Sequence, residues 1–98
     1  MSGYNRINGR LGQVCGPFAP GEDLLAKGGA IDLFTKETNL PQILKLGIQA
    51  PVDSYVSIND VNIKIGKTGI YELDYRVVVT SLSFPNGADE SVIIDFVY

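Results

Sequence analysis

Apolar and polar residues alternate along most of the second half of the chain and nowhere for long in the first. In "ILKLGIQA", residues 43–50, Leu44, Leu46, Ile48 and Ala50 fall on one side, a period of two that predicts a strand with one buried face. Pro51 ends it, because a ring without an N–H cannot continue a ladder. In "SYVSINDVNIKI", residues 54–65, two alternating runs flank Asn59-Asp60, residue types that accept positive φ, so a two-residue hairpin turn is predicted there. The register follows: Ile58 faces Val61 and Val56 faces Ile63, which groups the aliphatics and leaves Ser57, Asn62 and Lys64 on the wet side.

Downstream, Gly66–Gly69 reads as a turn. The next run, "IYELDYRVVVTSLSF", is too long for one ordinary strand, so a bend is expected near Asp74 to Arg76. Tyr71, Leu73 and Tyr75 are then expected to face the core, followed by Val78, Thr80, Leu82 and Phe84 on one side. "PNGADE" is a second turn cluster containing Asn86-Gly87, and "SVIIDFVY" closes the chain with Val92, Ile94, Phe96 and Tyr98 alternating. About six short strands with no helix between them predict an all-β fold, a small antiparallel β-sandwich of jelly-roll or Ig-like type, over residues 43–98.

Residues 1–42 are different in kind. They hold seven of the eleven glycines and three of the five prolines and sustain neither apolar period. "PGEDLLAKGG" carries helix punctuation, with Pro20 ahead of the start, acids in the first turn, Lys27 in the last and Gly28-Gly29 as a stop, but gives two turns at best and reads almost as well as a loop. The expectation is an extended Gly/Pro-rich N-terminal arm that lies on a neighbouring subunit.

Composition narrows the chemistry. A formal charge of −3 and a pI near 4.7, with scattered basic residues, point away from nucleic acid. Histidine is absent, so the commonest general base and metal ligand are missing together. Cys15 is the single cysteine, which forbids an intrachain disulfide and points to a reducing compartment. No apolar run is long enough for a membrane span, and "MSGYNRINGR" does not read as a signal peptide. A mean hydropathy of +0.12 suits a subunit with neighbours better than a chain that stays alone in water.

Each chemical candidate has a plainer explanation. Gly66-Lys67-Thr68 ends like a phosphate-binding loop, but the glycine required five positions earlier is Val61, and no helix pattern follows. Glu72 and Asp74 project from one strand face about 7 Å apart, as paired glycosidase carboxylates could, yet Arg76 beside them makes a solvated charged face the simpler reading. Asn86, Asp89 and Glu90 offer oxygen ligands without calcium-loop spacing. Cys15 has no histidine to activate it. Among Tyr4, Tyr55, Tyr71, Tyr75 and Tyr98, the alternation sends Tyr71 and Tyr75 inward and leaves Tyr55 open as a surface contact. The possible contact surface is therefore Tyr55, Asn59, Asp60, Asn86 and Asp89; no catalytic, cofactor or metal site is expected.

The order "LGIQAP", "INDVNIKIGKTGIYELD", "VTSLSF", "VIIDFVY" resembles a segment of structural proteins of tailed bacteriophages and related prophages, over residues 46–98. The resemblance implies a small β-rich virion module on the head or tail, made in the host bacterial cytoplasm. It would act by self-assembly and by docking to capsid or tail subunits, as a non-enzymatic homo-oligomer. A carbohydrate-binding or host-adhesion module that contacts a cell-surface glycan is the alternative expectation.

Overall fold

The computed structural model describes residues 10–32, 43–74 and 77–98. The described residues hold seven strands and no helix: β1 (Leu11–Cys15), β2 (Lys45–Gln49), β3 (Tyr55–Ile58), β4 (Val61–Lys64), β5 (Ile70–Leu73), β6 (Leu82–Ser83) and β7 (Ile93–Val97). They form two antiparallel sheets, one in the order β1-β7-β2-β5 and the other in the order β4-β3-β6. The fold is a small all-β sandwich. Tyr4, Tyr75, Arg76 and the proposed boundary at residue 42 lie outside the described residues.

The centre of the structure is a long hairpin that bends from one sheet into the other. Its base pairs β2 with β5, and its tip pairs β3 with β4. Between them the two chains stay bonded through the corner, Ala50 N–H to Gly69 C=O at 2.9 Å, Asp53 N–H to Ile65 C=O at 3.0 Å and Ile65 N–H to Ser54 C=O at 2.8 Å. Pro51 stops β2, and Asp53 takes a φ of 67°, so the turn is made where the ladder is already interrupted. At the tip, Asn59 and Asp60 have φ of 52° and 66°, the conformation of a type I′ turn, whose twist matches that of its strands. Ile58 pairs with Val61 and Val56 with Ile63, the register read from the alternation.

The core lies between the sheets. Leu46, Ile48, Ile94 and Phe96 come from the four-stranded sheet, Val56, Ile58 and Leu82 from the three-stranded one, and Phe84 follows directly after β6. Removal of each such side chain from water stabilises the fold by about 1.5–3 kcal/mol. Phe96 also covers Gly12 of the neighbouring strand, where a Cβ would stand 2.3 Å from its ring, so the glycine makes room for the aromatic ring.

Three expectations are corrected by the packing. Val78 and Thr80 are exposed, and Val79 is the buried member of that run. The strand does not resume until Leu82, so the parity set by Leu82 and Phe84 does not extend back through residues 77–80. Val61 is 60% exposed although it shares the inward face with Ile58, because β4 is an edge strand that overhangs the core. "PGEDLLAKGG" forms a succession of turns rather than a helix.

The largest difference concerns the N-terminal segment. Within the part described, β1 pairs with β7 along its whole length, Leu11 opposite Val97 through Cys15 opposite Ile93. Phe18, Leu24, Leu25 and Ile31 are 7%, 0%, 4% and 2% exposed, and all belong to the central cluster. Phe18 stacks on Phe84 with ring centroids 5.6 Å apart, and its N–H and C=O bond to Ala88. Residues 10–32 thus complete the sandwich of their own chain, by single apolar side chains placed at irregular intervals that no periodicity marks.

The same segment closes the outer side of β6. Leu24 N–H bonds to Leu82 C=O at 2.7 Å, and Gly21 N–H to Phe84 C=O at 2.9 Å. Leu82 N–H donates to the Asp23 carboxylate at 3.3 Å, and that carboxylate also accepts Leu25 N–H at 3.1 Å. A side chain thereby supplies the acceptor that a further strand would have supplied.

Candidate interaction surface

Among the five predicted contact residues, Asn59 and Asp60 stand apart from the other three. Asn59 and Asp60 occupy the hairpin tip. Strand β6 runs antiparallel to β3, with Leu82 opposite Ile58 and Ser83 opposite Ser57, so the chain moves away from that tip before it reaches Asn86 and Asp89. Tyr55 begins β3, opposite Lys64, at the end remote from the tip, and is 40% exposed.

Two of the five are occupied by the fold itself. The Asn59 carboxamide oxygen accepts Thr80 N–H at 2.7 Å, the Thr80 hydroxyl at 3.0 Å and Ser81 N–H at 3.3 Å, and its Nδ2 donates to Val78 C=O at 2.8 Å. Its backbone N–H adds a bond to Ser81 C=O at 3.1 Å. The hairpin tip therefore ties down a strandless segment. Asp89 accepts Ser91 N–H at 2.9 Å and the Ser91 hydroxyl, which shapes the turn into β7. The Ser91 hydroxyl, and after it the Ser91 N–H, lower the Asp89 pKa by favouring the charged carboxylate. Asp60 and Asn86 remain exposed. Nothing in the sequence signalled the Asn59 role, because its partners stand 19 to 22 residues away.

The other candidates resolve into local structure. Gly66–Gly69 is a turn closed by Gly69 N–H to Gly66 C=O at 3.0 Å, and the strand β5 follows it, not a helix. Glu72 lies exposed on the outer face of β5, across the glycine position Gly47 from Asp95. Cys15 is exposed at the end of β1. Among the described residues no group of three or more acidic or sulfur ligands gathers as a metal site, and no helix is long and apolar enough to cross a membrane.

The outer face of the four-stranded sheet carries a shallow open hollow of about 550 Å³, lined by Gln13, Lys45, Gly47, Glu72, Asp95 and Val97 among others. It exists because Gly47 has no side chain at the middle of the sheet, between Asp95 of β7 and Glu72 of β5. Gln13 Nε2 donates to Asp95 Oδ1 at 2.7 Å across the β1–β7 pair, which fixes both side chains at one rim.

The sheet edges are more distinctive than the hollow. Among the described residues, the outer side of β6 is covered by residues 21–24, and β1, β4 and β5 stand at the other three sheet edges. Each of these three carries a large aliphatic side chain in water: Leu11 is 87% exposed, Val61 60% and Ile70 52%. An edge strand presents a row of backbone donors and acceptors, and an aliphatic side chain beside that row favours a second chain docking there. The chain matches no protein-family model, no curated protein and no solved structure.

Proposed function

We propose that this protein is a non-enzymatic assembly subunit, a structural component of a bacteriophage virion that acts by docking to other subunits. The single observation that supports this is Leu11, 87% exposed on β1, a strand that stands at a sheet edge among the described residues and whose sequence LGQVC carries no charge. A monomer that lives alone blunts its edges with charge, proline or bulges, whereas a repeated subunit uses them. The resemblance of residues 46–98 to phage structural proteins supplies the kind of particle. A glycan-binding module is the weaker reading, because Asn59 and Asp60 stand at the opposite end of β3 from Tyr55, and the Asn59 side chain is spent on the 78–81 segment.

The test is direct. Particles released from a host that carries this sequence, purified by density gradient, are digested and their peptides quantified by mass spectrometry. Peptides of this chain in fixed ratio to the major particle proteins are expected. Their loss from the particle band during purification would overturn the reading.

A further inference from the structure

We infer that β1 is a self-pairing edge, on which a second copy of this chain adds its own β1 antiparallel about Gln13 and joins two four-stranded sheets into one continuous sheet. The inference rests on the assembly reading above and names its first partner. It begins from the direction of backbone groups. Arg10 and Tyr98 exchange both of their bonds, at 2.6 and 2.9 Å, and Gly16 N–H bonds to Val92 C=O at 2.9 Å. In an antiparallel ladder such pairs recur at every second residue, so Gly12 and Val14 also point at β7. Leu11, Gln13 and Cys15 therefore turn their N–H and C=O groups outwards.

Pairing centred on Gln13 satisfies all of these groups together. Leu11 then lies opposite Cys15 of the other copy, Gln13 opposite its own copy, and Cys15 opposite Leu11, each pair able to exchange two bonds. A shift towards the C-terminus would bring Pro17, which has no N–H, against an outward C=O. The side chains agree with this register. Leu11, Gln13 and Cys15 share the outer face, so an apolar pair flanks a central amide pair on both sides. The Gln13 Nε2 already donates to Asp95, and the amide oxygen is an acceptor that the other copy's amide can meet in this register.

Charge selects β1 among the open edges. Its sequence LGQVC contains no ionised residue, whereas β5 carries Glu72 and β4 carries Lys64, which pairs with Asp53 at 3.5 Å. Lysine and glutamate on an edge oppose the approach of an identical edge. Across the proposed seam, the nearest carboxylates of this face, Asp95 and its copy, stand three strand spacings apart, about 14 Å, beyond the Debye length at physiological salt.

The experiment uses the full chain under reducing conditions, with native mass measured across a concentration series. A mass near twice the 10.6 kDa of the chain is expected, and Leu11→Lys returns it to the monomer; at concentrations low enough for the unsubstituted chain to be monomeric as well, the two share one thermal unfolding midpoint, since position 11 is 87% exposed. The register is read with Leu11→Cys oxidised by diamide. Positions 11 and 15 of one strand are about 14 Å apart, too far for a bond within the chain, so a disulfide between the introduced thiol and Cys15 of another copy reports the antiparallel pairing. The unsubstituted chain, whose two Cys15 side chains are kept apart in this register, is expected to stay uncrosslinked within the dimer.

A monomer at every concentration, a dimer indifferent to Leu11→Lys, or crosslinks only between the two Cys15 side chains would each overturn the inference. The function fails separately. A monomeric chain that is present in purified particles removes the self-pairing and keeps the assembly role; a dimer absent from particles does the reverse.

Discussion

Asn59 and Thr80 stand 21 residues apart in the chain, and the carboxamide oxygen of the first accepts the backbone N–H of the second at 2.7 Å. The residue that makes the tightest turn of the long hairpin thus also anchors a segment that belongs to no strand. Two demands meet at one position. Positive φ is met by Asn or Gly, but only a short amide can also serve Thr80, Ser81 and Val78.

Replacement of Asn59 separates these demands. Asn59→Gly keeps the backbone conformation and removes the bonds, with an expected loss of about 1–3 kcal/mol in urea-induced unfolding. Asn59→Ala should lose about 1 kcal/mol more, because φ of 52° strains a Cβ. Equal midpoints for the two variants would show that the turn conformation carries no cost.

The Asp23 carboxylate stands in for a missing strand along β6, where Leu82 N–H and Leu25 N–H both point at it. Asp23→Ala leaves those donors without their acceptor and is expected to cost about 1–3 kcal/mol. The more specific readout is amide exchange: Leu82 should lose protection while Ile94, on the other sheet, keeps it.

Phe18, Leu24 and Ile31 belong to the core, so a chain without residues 10–32 lacks part of it. A chain that starts at Leu40 should not fold, and Leu24→Ala in the full chain should lose about 2–5 kcal/mol. Circular dichroism of the shortened chain distinguishes this from an arm that docks elsewhere, since a dispensable arm would leave the strand signal intact.

Asp89 gives a pH-dependent signal with a defined sign. Its pKa is lowered in the folded state from the ordinary 3.8, chiefly by the Ser91 hydroxyl. A depressed carboxylate contributes stability that is present above the unfolded pKa and lost as pH falls through the folded one. Ser91→Ala should therefore lower the unfolding midpoint at neutral pH, and its difference from the unsubstituted chain should shrink on acidification below pH 3.8. A carboxyl chemical-shift titration of Asp89 that does not move upward in Ser91→Ala would remove Ser91 as the cause.

What the chain determined by itself is what neighbouring residues decide between them. Alternation placed β2, β3, β4 and β7 and their inward faces, because strand side chains repeat every second residue whatever lies opposite. The Asn59-Asp60 turn and the Ile58–Val61 register followed, since turn length and left-handed φ are local properties. Tertiary structure decided the rest. Residues 10–32 have no period, so only the cavity waiting between the sheets shows why Phe18, Leu24 and Ile31 are apolar. Val79 rather than Val78 turns inward because the Asn59 side chain holds the 78–81 backbone. That β1 belongs to the four-stranded sheet, and stands at its uncharged edge, depends on β7, whose pairing residues lie at the opposite end of the chain. Contacts of that separation leave no local pattern, because they are selected by the shape and polarity of a surface that exists only once the chain has folded.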